Sequence, residues 1–386
     1  MLRKLIYILL WLVLLSPLWS WLVWFLSPAQ PRRVVVVDKT VLNPSAREHA
    51  AFFWILKHLK WTRPDGKFYD PAVDYLGFFP GENFLYEVHD LDSLSVAARD
   101  SLAEQTDLAY FTDTYGIYTL EWYRGTEVTE RSSLIYGGLS QADVQFLQHL
   151  YRQGKPIVAE FNFLASPTPA SVRAAAEALF QFHWSGWTGR YFNSLDSLSN
   201  PELPRWVVRL YKKQHNGQWP FTRGGVVFVH LNETIVILED ERDKPEGPPV
   251  IETDDAFRRK VHLPAEIVYP YWFDIVEPGA LYEVPAHYRI ATMPRGDSLL
   301  AHYGIPGRFP AVLLSRQPEQ PIFYFAGDFA DNPITVNFFA KLWGIERVAG
   351  WVLASNNPMD PQNFFWRYYL PLMTHILTEK IHWPSR

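Results

Sequence analysis

The most constraining feature of this sequence is a regular alternation of buried-strand and amphipathic-helix patterns between residues 34 and 180. The run 34–38, VVVVD, is almost wholly β-branched, which is typical of a strand buried on both faces. Such alternation indicates βαβ units, and we therefore predict an α/β fold with a doubly wound, mostly parallel sheet. Further strands are predicted at 74–79, 107–112, 133–136 and 155–161, with helices at 45–61 and 93–104. Other helices begin at Thr168 and at Ser140, where Asp143 three residues on gives a pattern close to a capping box.

Polar residues follow several of these strands, at the sheet edge where parallel strands place their functional loops. Asp38 ends the first strand, and Asp113 and Tyr115 follow a later one. Glu160 and Asn162 follow the strand 155–161. We expect these side chains to border a crevice at the carboxyl edge of the sheet.

The pattern changes after about residue 220, where short strand-like runs dominate. The runs 225–231 and 233–239 are separated by one polar residue, so they form either a tight hairpin or one bent strand. We therefore predict four segments, namely an anchor and linker (1–33), an α/β domain (34–220), a β-rich lobe (221–333) and C-terminal helices that pack on the body (334–386).

The N-terminal segment predicts the location of the protein. Arg3 and Lys4 precede an uncharged apolar run, residues 5–26, which at about 1.5 Å per residue spans roughly 33 Å, enough for a hydrocarbon core of about 30 Å. This length favours an uncleaved transmembrane anchor over a cleaved signal peptide, whose apolar region is usually about 7–15 residues. The two basic residues predict a single-pass protein with a cytoplasmic N-terminus and a body on the periplasmic or extracellular side.

Composition excludes several classes of function. The net charge is −5 and no basic tail or stripe is present, which argues against nucleic-acid binding. The chain contains no cysteine, which removes thiol nucleophiles, cysteine-ligated zinc, iron–sulfur clusters and disulfides. The sequence also lacks a phosphate-binding loop, a nucleophile elbow, a dinucleotide fingerprint and an H-E-x-x-H motif. We predict no cofactor and no bound metal.

Residues 136–162, YGGLSQADVQFLQHLYRQGKPIVAEFN, resemble the strand–Gly-Gly–helix–strand core of the class I glutamine amidotransferase-like fold. The resemblance covers residues 34–220 and implies a sharp turn after the strand that carries a cysteine nucleophile, assisted later by histidine and glutamate. Glu160 lies approximately at that turn, and without a cysteine the family's glutamine hydrolysis is not available. The resemblance therefore implies a degenerate, non-catalytic member, of the kind found in sugar-processing and membrane-associated bacterial proteins.

Glu160 is the first candidate for a functional carboxylate. At the end of a buried strand it is either a partly desolvated acid–base or ligand-binding group, or a hydrogen-bonding group that orders the turn at 166–168. The same alternatives hold for Asp113, beside Tyr115, and for Asp38. Glu160 and Asp113 across one crevice could support glycoside hydrolysis if their separation were suitable.

The segment 182–192, FHWSGWTGRYF, interleaves aromatic residues with glycines and an arginine. Trp184, Trp187 and Tyr191 suit the flat faces of sugars, and Arg190 suits a carboxylate or a phosphate. The alternative is a packed aromatic loop at the junction between lobes, with the arginine paired to a structural acid.

Two later segments, 269–274 and 323–331, repeat a pattern of aromatic residues followed by aspartate. Asp274 and Asp328 therefore either line a cleft between the lobes or form turns that cap strand ends, which is a common role of aspartate. We keep both as candidate ligand-binding residues.

Two functional hypotheses follow from these patterns. The first is a membrane-anchored extracytoplasmic accessory protein whose non-catalytic amidotransferase-like domain recognises a glycan or a partner in a membrane complex. The alternative is a carbohydrate-active hydrolase that uses Glu160 and Asp113 as its carboxylate pair. Convergence of both acids with Arg190 in one open pocket would favour the hydrolase, and a buried Glu160 bonded to backbone amides would disfavour it.

Overall fold

The computed structural model of the chain describes residues 7, 11, 14–125, 130–334, 337–355, 357–381 and 383. Its strands are β1 Gln30–Pro31, β2 Val34–Asp38, β3 Trp61–Thr62, β4 Leu76–Pro80, β5 Tyr86–His89, β6 Leu108–Asp113, β7 Ile117–Tyr118, β8 Leu134–Tyr136, β9 Ile157–Glu160, β10 Phe182–Phe192, β11 Gly225–His230, β12 Ile235–Glu239, β13 Val250–Thr253, β14 Glu266–Val268, β15 Phe273–Pro278, β16 Tyr282–Arg289, β17 Arg308–Ser315 and β18 Ile322–Phe325. Its helices are α1 Ser16–Leu26, α2 Arg47–His58, α3 Val96–Gln105, α4 Thr119–Arg124, α5 Gln141–Arg152, α6 Ala170–Phe180, α7 Arg205–Gln214, α8 Asp255–Val261, α9 Pro294–Tyr303, α10 Ile345–Val352 and α11 Pro361–Phe364. Helix α11 continues through Phe365–Tyr369, Leu370–His375 and Ile376–Lys380, and short 3-10 turns lie at Glu82–Phe84 and Phe339–Lys341.

A ten-stranded sheet forms the centre of the fold, in the order β14-β13-β16-β17-β18-β9-β6-β2-β4-β5. The five strands from β18 to β4 are parallel, and the strands on either side of them pair antiparallel. The α/β class predicted from sequence is confirmed, but the sheet is mixed rather than mostly parallel. The difference arises because β16 and β17, which were expected in a separate lobe, extend the sheet by antiparallel pairing beside β18.

The central strands β2, β6 and β9 explain the apolar runs in the first half of the sequence. Every residue of these three strands is buried, as expected for parallel strands that are covered on both faces. Strands β2 and β9 belong to one sheet, with β6 between them. The predicted strands 34–38, 107–112 and 155–161 therefore lie side by side in one sheet, whereas the predicted strand 133–136 forms β8, which pairs with β7 in a separate two-stranded sheet.

Helices cover both faces of these strands. Because successive side chains of a strand point in opposite directions, neighbouring residues of β6 contact different helices. The ring of Tyr110 on β6 lies 4.4 Å from that of Phe52 on α2. The next residue, Phe111, lies on the other face, where its ring is 5.7 Å from that of Phe163. Phe163 in turn packs 5.2 Å from Phe180 of α6. Helices α2 and α6 thus enclose the same strand from opposite sides.

A second sheet is antiparallel and has the order β12-β11-β10-β15. The runs after residue 225 form a hairpin, β11 with β12. The segment 182–192 is strand β10 rather than the aromatic loop considered from its sequence. Gly189 allows this close packing, since a Cβ at that position would lie 2.5 Å from the ring of Phe273. Because β10 pairs with both β11 and β15, the boundary predicted at residue 220 does not separate two sheets.

Helix α1 is the part of the predicted anchor that the structure describes. Within the described residues, no helix has the length and apolarity that crossing a membrane requires. Residues 1–6, 8–10, 12 and 13 of the predicted anchor segment lie outside the described residues. The end of α1 leads through β1 directly into β2.

A buried ion pair joins the end of β2 to the start of α5. Lys39 Nζ lies 2.6 Å from Asp143 Oδ2, and both side chains are almost fully buried. Lys39 also donates to the carbonyl oxygen of Gly138 at 3.0 Å. Asp143 accepts the backbone N–H of Ser140 at 2.7 Å, which completes the capping box that the sequence predicts. The pair therefore fixes the Gly-Gly turn against the first parallel strand.

We predict that Lys39→Met lowers the free energy of unfolding by about 3–5 kcal/mol, because it leaves a buried carboxylate without its cation. Lys67→Met removes an exposed lysine and, as the matched control, should change this free energy by less than about 0.5 kcal/mol. Denaturant unfolding of the full chain in detergent micelles measures both effects. Equal stability of the two variants would show that Asp143 does not depend on this cation.

Candidate functional site

Four neighbouring parallel strands, β18, β9, β6 and β2, end at one edge of the large sheet. Strand β2 ends in Asp38, β6 in Asp113 and β9 in Glu160, and β18 leads into the turn that carries Asp328. The sequence pattern predicts the first three placements. The fourth depends on the parallel pairing of β18 with β9, which brings residues 322–325 beside residues 157–160.

A cleft of about 610 Å³ opens at this edge. Six of the residues singled out from sequence line the cleft, namely Asp113, Tyr115, Asn162, Trp184, Arg190 and Asp328. Other lining residues were not singled out from sequence, among them Tyr118, Glu121, Arg131, Trp206, His230 and Trp272. The cleft therefore combines acidic, basic and aromatic side chains from both sheets.

A hydrogen-bonded chain of residues holds the strand ends together beside the cleft. Asp113 Oδ1 accepts the backbone N–H of Tyr115 at 2.7 Å and the Nδ2 group of Asn162 at 3.4 Å. Asn162 has a φ of 66°, in the left-handed region that asparagine tolerates. Its backbone N–H donates to Asp274 Oδ2 at 3.1 Å, and Asp274 also accepts the hydroxyl of Tyr324 at 2.9 Å. Asn162 is thus fixed between a lining acid and a fully buried one.

Arg190 supplies a positive charge to the cleft. Its Nη2 lies 2.5 Å from Glu202 Oε2, and its guanidinium carbon lies 4.8 Å from the ring centre of Phe192. Burial lowers the pKa of Arg190, while the charges of Glu202 and Asp328 oppose that shift. The buried Nε has no hydrogen-bond partner among the described residues.

Glu160, the first candidate from sequence, does not line the cleft. The side chain is fully buried. Its two carboxyl oxygens accept the backbone N–H groups of Phe329 at 3.1 Å and Ala330 at 3.3 Å, and burial raises its pKa well above the usual value. This geometry favours the hydrogen-bonding role, although the turn that Glu160 orders follows β18 instead of lying at 166–168.

Asp38 and Asp274 are likewise fully buried and do not belong to the lining of the cleft. Asp38 Oδ2 is hydrogen-bonded to His49 Nδ1 on α2 at 2.7 Å, and its Oδ1 accepts the backbone N–H of Thr40 at 2.9 Å. Asp274 binds the backbone of Asn162, as described above. Both acids therefore support the loops around the cleft.

Trp187 and Tyr191 on β10 also lie outside the cleft lining. The ring of Trp187 packs 4.6 Å from that of His230. The hydroxyl of Tyr191 donates to Asp240 Oδ2 at 2.7 Å. Neighbouring side chains of a strand alternate between its faces, so Arg190 and Tyr191 cannot both point into the cleft. The four candidates of segment 182–192 are close together in the sequence, but the alternation of side chains along β10 places them on two different faces.

Several acids at this edge are kept protonated by burial and by their neighbours. Burial, together with the charge of Asp38, raises the pKa of Asp113 to about 8. Burial, with Asp331 and Asp113 nearby, raises the pKa of Asp328 well above its usual value. Burial and Asp38 raise the pKa of Glu48 on α2 to about 9. With pKa values of about 8 and about 9, Asp113 and Glu48 are mainly neutral at pH 7 and can donate as well as accept hydrogen bonds.

Some residues of this region carry no local sequence signal. Arg47 of α2 reaches the carboxyl edge, where its Nε lies 2.6 Å from Asp331 Oδ1. The guanidinium carbon of Arg131 lies 4.3 Å from the ring centre of Trp206, although 75 positions separate the two residues. Neither pair forms a motif in the sequence. Across the described ranges, no group of three or more His, Asp or Glu side chains is placed to hold a metal ion.

No family model and no curated protein matches the chain. Two solved structures described as ThuA-like proteins are similar to it. The one from Bacteroides uniformis ATCC 8492 is 11% identical, with a TM-score of 0.31, and the match covers 87% of this chain and 96% of that protein's chain. The one from Parabacteroides merdae ATCC 43184 is 10% identical, with a TM-score of 0.34, and the match covers 77% of this chain and 79% of that protein's chain. Similarities at this level carry no argument about function.

We predict that stability falls as the pH rises from about 5 to 8, because native Asp113 keeps a proton that the unfolded chain has already released. Between its unfolded and folded pKa values, such a group contributes about 1.4 kcal/mol per pH unit. Asp113→Asn removes the titrating group and keeps the acceptor for the N–H of Tyr115. It should therefore reduce the slope of the free energy of unfolding against pH by that amount. Glu104→Gln, at an exposed acid, should leave it unchanged. Denaturation at several pH values in detergent micelles measures the slope, and parallel curves for both variants would contradict the prediction.

We also predict that Glu160→Gln destabilises the protein by about 1–3 kcal/mol, because its amide group presents a donor to a backbone N–H that then lacks an acceptor. The same Glu104→Gln variant serves as control. Thermal unfolding and glycan hydrolysis are measured side by side. A variant that is as stable as the parent, but has lost a hydrolytic activity that the parent shows, would support the hydrolase instead.

Proposed function

We propose that the chain is a membrane-anchored, extracytoplasmic accessory protein whose amidotransferase-like domain binds a glycan without cleaving it. The observation that carries the proposal is the convergence of Asp113, Tyr115, Asn162, Trp184, Arg190 and Asp328 in one cleft. Its volume of about 610 Å³ lies within the range of about 300–1,000 Å³ that is common for small-molecule sites.

The chemistry of the lining favours a sugar over an apolar ligand. Trp184, Trp206 and Trp272 contribute indole rings to the lining, and the rings of Tyr115 and Tyr118 lie 4.9 Å apart at the same cleft. Rings of this kind pack against the apolar faces of sugars. A mainly neutral Asp113 can exchange hydrogen bonds with hydroxyl groups in either direction, at a smaller desolvation cost than an ionised carboxylate would incur.

Two observations favour binding over hydrolysis. Both carboxyl oxygens of Glu160 accept backbone N–H groups, and the residue lies outside the cleft lining. Asp113, the other member of the predicted pair, is mainly protonated at pH 7. Glycoside hydrolysis requires an ionised carboxylate together with a protonated one on the two sides of the scissile bond, and this pair offers neither the access nor the ionisation. The missing cysteine removes amide hydrolysis by the family mechanism.

The location is part of the proposal. Residues 5–26 contain no charged side chain, and Arg3 and Lys4 precede them. These features support a single membrane anchor with the cleft-bearing body on the periplasmic or extracellular side. A cell-envelope glycan would be the ligand class encountered there.

The test is titration of the full chain in detergent micelles with N-acetylglucosamine oligomers, neutral hexose oligomers and uronic-acid oligomers. Trp206→Ala should weaken binding of the preferred glycan about tenfold, about 1.4 kcal/mol, because it removes a ring face from the lining. Trp351→Ala is the matched control, since it removes a ring on α10 that lies outside the cleft. Arg190→Gln should reduce binding of the uronic-acid oligomers more than that of neutral ones.

Two results would contradict the proposal. One is the absence of binding to any of these glycans together with crosslinking of the cleft to a membrane protein, which would make that protein the occupant. The other is cleavage of a bound oligosaccharide, which would show that the protein is a hydrolase.

A further inference from the structure

Large apolar side chains are exposed on one side of α10. Val348, Trp351 and Val352 are 49%, 91% and 72% exposed. They lie three and four residues apart and therefore share one side of the helix. Ile345 and Ala349 of the same helix are buried. Helix α10 thus presents apolar side chains to solvent as well as to the core, which is unusual for a surface helix of a water-soluble domain.

This surface adjoins the N-terminal helix α1. The Oγ of Ser20 donates to the carbonyl oxygen of Trp343 at 2.8 Å, and the N–H of Trp343 donates to the carbonyl oxygen of Ser20 at 3.2 Å. Phe338 and Trp343, just before α10, are each 56% exposed. We call the set Phe338, Trp343, Val348, Trp351 and Val352 the apolar patch. The adjoining helix α1 exposes further apolar residues, namely Leu18, Trp19, Val23, Phe25 and Leu26.

Basic side chains border the apolar patch. Arg347 is 68% exposed, and its guanidinium carbon lies 5.9 Å from the ring centre of Trp343. Lys341 precedes α10, and its charge adds to burial in lowering the pKa of Lys57 on α2. The nearby acid Glu346 lies within 3.1 Å of His58 Nε2 and 3.7 Å of Arg347 Nε. The border of the patch is therefore suited to anionic groups.

We propose that the apolar patch is a second membrane contact, which rests on the surface of the same bilayer that holds the N-terminal anchor. This inference depends on the anchoring part of the proposed function. Lipid is the occupant that we assign, because the hydrogen bonds between Ser20, inside the uncharged run 5–26, and Trp343 place the patch beside that run.

The composition of the patch fits the interfacial zone of a bilayer. Tryptophan is enriched at that depth, where its ring is apolar and its N–H is polar. Basic residues beside the surface add attraction to anionic headgroups. A short helix that lies in the interface buries its apolar side about 5–10 Å below the headgroups. The two contacts together would prevent the body from rotating freely about its anchor.

The absence of cysteine allows a direct test in the full chain. Val352→Cys, Val23→Cys and Leu198→Cys each introduce one site for a fluorescent label, on the patch, on α1 and on a distant exposed position, respectively. The labelled proteins are reconstituted in vesicles of phosphatidylcholine with phosphatidylglycerol, in which some lipids carry a nitroxide quencher. We expect several-fold stronger quenching at positions 352 and 23 than at position 198.

The three labels distinguish the possible failures. Quenching at position 23 but not at 352 would overturn the second contact and leave the anchor intact. Quenching at neither position would overturn the anchor as well. A label at 352 that is shielded from a water-soluble quencher but untouched by the lipid quencher would mean that a second copy of the chain covers the patch, and this would also overturn the inference.

The basic border gives an independent test. The double variant Lys341→Gln, Arg347→Gln should weaken quenching at position 352 in the anionic vesicles, without changing quenching at position 23. Lys67→Gln together with Arg259→Gln, at exposed basic residues, is the matched control. Equal quenching in the two double variants would overturn the role assigned to these charges.

Discussion

The carboxyl edge of the parallel strands buries more acidic groups than its cations can balance, and this constraint shapes the site. Asp38 is bonded to His49, and Asp331 lies beside Arg47, but Asp113 keeps only dipolar partners such as Asn162. Removing an unpaired carboxylate from water costs more than taking up a proton. Protonation of some of these acids therefore completes the charge balance, which is why the pKa values of Asp113 and Asp328 are raised.

This charge balance also determines which chemistry the edge supports. The resemblance of residues 136–162 to an amidotransferase core implies a nucleophile near position 160, where the chain has Glu160. That glutamate binds the backbone N–H groups of Phe329 and Ala330, and it thereby holds the turn that carries Asp328 at the cleft. A position that the resemblance associates with catalysis thus supports the wall of the cleft, and burial raises the pKa values of two acids in its lining, Asp113 and Asp328.

Features set by neighbouring residues could be predicted from sequence, whereas features set by distant pairing could not. The run 34–38 and the capping box at Ser140 follow from local patterns, and both are present. The strand-end rule also brought Asp113 and Asn162 to one site. By contrast, segment 182–192 contains glycines that break strand periodicity, and it becomes a strand only because β11 and β15 pair with it. The stacking of Arg131 on Trp206 likewise depends on distant pairing.

Helix α2 connects the site to the proposed membrane contact. At its first residue, Arg47 lies beside Asp331 at the carboxyl edge, and at its last, His58 lies beside Glu346 on α10. The helix has 12 residues, and at about 1.5 Å per residue it is about 18 Å long. If the apolar patch rests on the bilayer, the carboxyl edge is held about one helix length from the patch.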